Sequence, residues 1–250
     1  MISRRLNKII DMVSDGRRSI ADIGCDHAIV SIELAKKYPD THVIAMDVAE
    51  GPLRIARENI AAAGLGDRIE TRLSDGFEKL SRGETDTAII AGMGGMLVTS
   101  ILSKGMSTFD TGYELILSPQ SDMQHFRTFL RTNNIYIQKE AMLYEDGKFY
   151  VIVKCTYDPD AAVSSEIDDG SREERLVQAA YDCYGRYLLE HKDEVCRTYI
   201  LGEIEKINTV LCKLNGTNSD AARNRSLELN SNLDIAVKAL DIMEKWYGKG

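Results

Sequence analysis

No apolar stretch in the 250 residues approaches the ~20 needed to span a bilayer, and the N-terminal stretch lacks the apolar core of a secretory signal. The five cysteines (Cys25, Cys155, Cys183, Cys196 and Cys212) show no Cys-x-x-Cys spacing. That argues against a structural zinc site and for the reduced thiols of a cytoplasmic protein. His27, His42, His125 and His191 form no ligand cluster, so no metal is expected. An excess of positive charge is missing too. Lysine and arginine number 31 against 39 aspartates and glutamates, a net charge of -8, which weighs against a broadly basic nucleic-acid surface. It leaves room for a local one: the first 18 residues carry Arg4, Arg5, Lys8, Arg17 and Arg18 against Asp11 and Asp15. These residues are either a grip for a polyanion or a solvated helix face.

What is present is an ordinary globular composition, 44% apolar and 28% charged. From residue 19 short apolar runs alternate with helical patterns. SIADIG (19–24), THVIAMDV (41–48), RIETRLS (68–74), TDTAIIAG (85–92) and YELILS (113–118) read as strands. AIVSIELAKKY (28–38), GPLRIARENIAAAG (51–64), MLVTSILSKG (96–105) and MQHFRTFLRTN (123–133) read as helices, and helices are expected in each crossover. The alternation predicts a parallel sheet with right-handed crossovers. IYIQKEAMLY (135–144) and KFYVIVKCTY (148–157) then meet at Asp146-Gly147, a strong tight-hairpin signal. The sheet therefore ends in an antiparallel hairpin. Residues 158–171 are acidic and rich in small side chains and read as a linker. Beyond them Ile200, Ile204, Ile207, Leu211 and Leu214, then Leu229, Leu233, Ala236, Leu240 and Met243, step by three and four. This is heptad spacing for a helical hairpin or coiled coil. The organisation expected is a sheet domain at 1–157, a linker at 158–171 and a helical domain at 172–250.

Ligands of open α/β sheets bind at the carboxyl ends of the strands. Those ends carry Asp22, Gly24, Cys25, Asp26 and His27, then Asp47, then Ser74-Asp75-Gly76, then Gly92-Met93-Gly94-Gly95, then Ser118-Pro119-Gln120. Asp47 follows Gly24 by a little over the ~20 residues expected of an acidic group on ribose hydroxyls. Asp75 can accept from an adenine amino group. The pattern G-x-G-x-x-G is absent, and Asp26 stands where a glycine would face a pyrophosphate. A carboxylate there repels phosphate. It tolerates the sulfonium and ammonium of S-adenosylmethionine, which carries no phosphate. A helix beginning near His27 makes Asp26 an equally natural helix cap.

These segments, with DVAEGPL, DGF, IIAGMGG and EDGKFY, resemble the bacterial tRNA (adenine(22)-N1)-methyltransferase family (TrmK) from the N-terminus to about residue 155. The resemblance implies a class I, Rossmann-like methyltransferase sheet, S-adenosylmethionine as cofactor and tRNA as partner. Gly24, Asp47, Asp75, Gly76 and Gly92-Met93-Gly94-Gly95 match its cofactor and active-site motifs. Pro119 and Gln120 join the catalytic set, while Ser118 departs from the glutamine that family members often carry there. Adenine N1 has its own lone pair and needs no base to deprotonate it. Methyl transfer makes the ring cationic, so an acceptor at N6 would help. Asp26 is the candidate for that acceptor and His27 its orienter. Arg4, Arg5, Lys8, Arg17 and Arg18 are the candidates for the tRNA backbone, if their segment lies at the rim of the site. Arg223, Arg225 and Lys238 would add contacts from the helical part. The alternatives are an NAD-binding oxidoreductase, a methyltransferase for another substrate, and an inert scaffold that binds a partner through its coiled coil. The absence of an N/D-P-P-F/Y signature weakens exocyclic amine methylation.

Overall fold

The structure, a computed structural model, describes residues 2–160, 170–216 and 219–245. It divides into two compact units, residues 1–164 and 165–250. Most of the expected linker, residues 161–169, lies outside the described residues.

The first unit is a seven-stranded sheet of order β3-β2-β1-β4-β5-β7-β6. Helix α1 (Arg4–Met12) leads to β1 (Ser19–Ile23), α2 (Ile29–Lys37), β2 (His42–Asp47), α3 (Glu50–Ala62), β3 (Ile69–Leu73), β4 (Thr87–Ala91), α4 (Gly95–Gly105), β5 (Tyr113–Ser118), α5 (Met123–Thr132), β6 (Ile135–Glu145) and β7 (Lys148–Tyr157). The five strands β1 to β5 are parallel, and β7 runs antiparallel between β5 and β6. The central strands are apolar at consecutive positions because both faces are covered: every residue of β5 is buried, as are Thr87 to Ile90 of β4. Edge strand β6 alternates instead and carries a bulge between Ile137 and Lys139, a feature that discourages edge-to-edge pairing. Asp146 and Gly147 make the tight turn with φ of 50° and 77°. The sheet therefore has the class I methyltransferase topology expected of it.

One crossover departs from expectation. Among the described residues, the segment between β3 and β4 holds turns and no helix. Phe77 anchors it instead. Its ring is buried, meets Phe109 edge-on at 5.0 Å between centroids, and fills the space where a Cβ on Gly105 would stand. An aromatic plug thus covers the sheet where a helix would otherwise do so.

Helix α1 is tied to the hairpin as well as to the core. Ser3 caps it, accepting from the Leu6 amide, and Ile9, Ile10 and Met12 are buried. The Glu145 carboxylate, at the end of β6, accepts from the Arg4 and Arg5 amides at 2.7 and 3.2 Å. An anion at a helix N-terminus is favourable because those amides have no partner inside the helix.

The second unit contains α6 (Arg172–Tyr184), α7 (Arg186–Glu190), α8 (Glu194–Leu214) and α9 (Asp220–Lys245). A Ser171–Glu174 capping box opens α6. Helix α9 packs against α6, α7 and α8, burying Ala222, Leu229, Ala236 and Met243. Those positions are seven apart, as a coiled-coil seam requires. Leu233 and Leu240 are half-buried, as are Ile204, Ile207, Leu211 and Leu214 of the distal part of α8. Lys238 is engaged with Glu173 at 2.6 Å and Asp241 at 3.7 Å, and Arg225 with Glu228 at 2.7 Å.

Candidate active site

The strand ends of β1 to β4 enclose a cavity of about 640 Å³. The turn after β1 determines its floor. Gly24, Asp26 and Ala28 have φ of 74°, 50° and 57°. Glycine adopts this left-handed region freely and aspartate tolerates it, but a buried alanine there is strained. The amides of Gly24 and Cys25 both donate to the Met46 carbonyl, at 2.8 and 2.9 Å, and the Ala28 amide donates to Cys25. Those three donors are spent inside the protein, so the turn is no phosphate cradle. Helix α2 begins at Ile29, with Ala28 before it and no side-chain cap. Asp26 is therefore not the helix cap that the sequence also allowed. Its side chain stands 73% exposed at the cavity, 3.5 Å from His27 Nε2. The His27 carbonyl is held at 3.0 Å by Asn59 of α3.

Four aspartates line the cavity, Asp22, Asp26, Asp47 and Asp75, against one arginine, Arg5. Asp47 Oδ1 accepts from the Ala49 amide at 2.9 Å, which orients the carboxylate. The Ser74 amide donates to the Asp47 carbonyl at 2.9 Å, and the Ser74 hydroxyl donates to the Gly76 carbonyl at 2.9 Å. The loop bearing Asp75 is thereby tied to the loop bearing Asp47. Lys104 approaches Asp75 at 3.4 Å. Asp22 is 5% exposed and accepts from the Ser31 hydroxyl at 2.5 Å. Burial pushes its carboxyl up to about 6, against the pull of Ser31, and the charge of Asp47 adds a smaller push. Burial, with the negative charges of Asp22 and Asp47, also pushes the Cys25 thiol well above its ordinary value. Cys25 is therefore a wall and no nucleophile.

The remaining candidates separate. Gly24, Gly76, Gly92, Met93 and Gln120 line the cavity, and Gly94, Gly95 and Pro119 do not. A Cβ on Gly24 would overlap the Met93 methyl group, so the glycine makes room for that thioether. Gly95 is demanded by packing: a Cβ there would collide with the Ser121 carbonyl, to which the Gly95 amide donates at 3.2 Å. The Gln120 amide likewise donates to the Met93 carbonyl at 2.9 Å. The two loops are stitched together, and Gly94 and Gly95 pack at that seam. Ser118 is buried and donates to the Val151 carbonyl of β7 at 2.9 Å, away from the cavity.

The basic residues also separate. Arg5 lines the cavity, its guanidinium 4.8 Å from the centroid of Tyr150. Arg17 and Arg18 are not at this rim. They precede β1 and so lie at the opposite edge of the parallel strands, where Arg17 pairs with buried Glu114 at 3.2 Å and the Arg18 amide donates to Asp86. Residues that the sequence did not single out supply the apolar walls: Ile29, Val48, Leu97 and Ile101. Leu97 and Ile101 are four apart on α4, a spacing that marks one helix face but not what that face meets.

No described helix is long and apolar enough to cross a membrane. No group of three or more His, Cys, Asp or Glu among the described residues is placed to hold a metal.

The family model described as a methyltransferase domain matches residues 2–153. The chain is 35% identical to the tRNA (adenine(22)-N(1))-methyltransferase of Bacillus subtilis over 162 residues, 64% of this chain and 68% of that protein. The crystal structure of the B. subtilis M1A22 tRNA methyltransferase TrmK superposes with a TM-score of 0.81 at 27% identity, covering 96% of this chain and 99% of that one. Streptococcus pneumoniae Sp1610 in complex with S-adenosyl-L-methionine gives 0.77 at 27%, covering 97% and 100%. A phosphate-averse, aspartate-lined cavity on a class I sheet and these likenesses agree: the chain belongs to the tRNA (adenine(22)-N1)-methyltransferase family.

Proposed function

We propose that the protein transfers a methyl group from S-adenosylmethionine to N1 of an adenine in tRNA, position 22 by likeness to the B. subtilis enzyme. The observation that carries the cofactor assignment is the charge of the cavity. Four aspartates against one arginine suit a sulfonium, an ammonium and two ribose hydroxyls, and repel a pyrophosphate. The same observation disfavours the NAD-binding alternative.

Asp47 accepts from the ribose hydroxyls, with one oxygen already oriented by Ala49. Asp75 and the Gly76 backbone take the adenine edge, and Val48 and Ile101 offer apolar surface to its faces. Asp22, when ionised, faces the positive end of the cofactor. Gly24, Gly92 and Met93 shape the floor, and Gly94, Gly95 and Pro119 hold the surrounding loops in place. The cofactor, when bound, supplies a methyl carbon open to in-line attack. The chain's task is then to position the base and stabilise charge. N1 lies on the Watson–Crick edge, so the target adenine must be unpaired or flipped outward to enter. Asp26, exposed at the mouth, accepts from N6 as the ring becomes cationic. His27 beside it, with its carbonyl held by Asn59, orients that carboxylate. Gln120 closes the same side. Arg4, Arg5 and Lys8 of α1 meet the tRNA backbone; Arg17 and Arg18 lie too far round the sheet to share that contact near the cavity.

The test is incubation with labelled S-adenosylmethionine and bulk tRNA, followed by digestion to nucleosides. Label in 1-methyladenosine is the expected result, and label in any other nucleoside, or none, rejects the assignment. Asp26→Asn tests the acceptor role: single-turnover methylation should drop sharply with cofactor affinity unchanged. Equal losses in both would make Asp26 a cofactor contact instead.

A further inference from the structure

A second cavity, of about 380 Å³, lies beside α1 on the face that α1 covers. Lys8, Lys37, Lys139 and Lys154 line it, with Asp11, Asp15, Ser14 and Tyr38. Its charge is opposite to that of the cofactor cavity. Two of its cations are matched: Lys37 pairs with Asp11 at 2.7 Å, and Lys154 with Glu114 at 3.0 Å while donating to Ser14 at 2.6 Å. Lys8 and Lys139 have no ion-pair partner among the described residues. They come from elements far apart in sequence. Lys139 sits on edge strand β6 directly across from Lys154 of β7, and Lys8 sits on α1 above that hairpin. Like charges opposed across a strand pair are unfavourable, so an arrangement that gathers them invites an anion.

The helix connects the two cavities. Arg5 and Lys8 are three apart on α1 and share a face. Arg5 lines the cofactor cavity and Lys8 the basic one. The nine residues of α1 span ~13 Å. Tyr150 steadies the Arg5 guanidinium, and Glu145 fixes the first turn of the helix.

Resting on the tRNA reading above, we propose that α1 and the β6–β7 hairpin form a track for the sugar-phosphate backbone of the RNA strand leading to the target nucleotide. Arg5 holds a phosphate at the cavity mouth, and Lys8 and Lys139 together hold another further along the strand. The track binds RNA without touching the cofactor. It explains how a chain of net charge -8 meets a polyanion: the cations are few, but they are collected along α1 and the hairpin beside it.

The test compares Lys8→Ala, Lys139→Ala and the double variant with wild type, after thermal melts confirm that each is folded. Binding of tRNA is measured across a salt series. The double variant should bind several-fold more weakly at low salt. Its log-affinity against log-salt slope should shrink by about 0.7–0.9, the value of one phosphate contact. Because the two lysines share one phosphate, each single variant should produce most of that change. Affinity for S-adenosylmethionine should stay at the wild-type value. A wild-type slope in the folded double variant overturns the track. So does calorimetry showing inorganic phosphate bound by wild type and lost in the double variant while tRNA affinity is unaltered, since the basin then serves a free anion. Wild-type protein that binds and methylates no tRNA overturns the parent reading as well, and so is distinguished from failure of the track alone.

Discussion

The two halves of the sheet use charge in opposite ways. On the β3-β2-β1-β4 side, carboxylates stand in or beside the cavity, and burial makes one of them costly to ionise: Asp22 has the Ser31 hydroxyl and amide as partners and no cation. On the β5-β7-β6 side, buried carboxylates are matched. Glu140 meets Arg127 at 2.9 Å with both side chains almost fully buried, and Glu114 meets Arg17, Lys154 and Ser14. A buried carboxylate without a cation marks the wall that must accept one, whereas buried carboxylates already paired mark the wall that only has to hold together.

The largest effect should come from breaking the paired half. Arg127→Met leaves Glu140 buried without its cation, which should destabilise the fold by about 3–5 kcal/mol. Denaturant unfolding measures it, and a loss below ~1 kcal/mol would remove the distinction between the halves. The next change has the opposite sign. The folded protein holds the Asp22 proton more tightly than the unfolded chain does, so that group favours folding below about pH 4. This contribution is lost as pH rises through about 6. Between pH 4 and pH 8 that loss is about 3 kcal/mol. Asp22→Asn should therefore raise the apoprotein melting temperature at pH 8, with a gain that fades toward pH 4, while weakening S-adenosylmethionine. A lower melting temperature at pH 8 would show that ionised Asp22 is already compensated. Asp47→Ala should weaken cofactor binding by about 1.5–3 kcal/mol, the worth of a hydrogen bond to a charged acceptor; an unchanged dissociation constant by calorimetry would remove Asp47 from the ribose. The smallest effect is expected at Arg18, which is exposed at the far edge of the sheet. Arg18→Ala should leave cofactor affinity and stability within about 0.5 kcal/mol of wild type. A large loss of tRNA affinity there would place the RNA on the wrong edge for the α1 track.

Much of the site was legible because its parts follow strand ends. Gly24, Asp47 and Gly92 come at the end of apolar runs and Asp75 two residues after β3, and a parallel sheet brings such positions to one edge whatever its loops do. Asp26 was harder. An aspartate before a helix suggests a cap, but Asp26 has a left-handed φ and α2 starts only at Ile29, in a turn whose Gly24 and Cys25 amides bond Met46 on the neighbouring strand. Gly94 and Gly95 read as part of a cofactor and active-site motif. Their demand comes from Ser121 across a loop-to-loop seam that no local pattern encodes. The missing helix between β3 and β4 was hidden because Phe77 replaces it by packing under α4.

The sequence by itself determined the alternation of strands and helices, the terminal hairpin at Asp146-Gly147, the seven-residue seam of α9 and the carboxylate of Asp26 in the turn after β1. All four depend on neighbours within a few residues, through periodicity, turn conformation and the identity of one side chain. Tertiary structure alone decided which basic residues share a surface. Arg5 and Arg17 are 12 positions apart in sequence, yet α1 carries the chain from one edge of the sheet to the other between them. Lys8 and Lys139 are remote in sequence, yet the hairpin brings them to one basin. Charge acts through space, and the chain's path through the fold sets those distances.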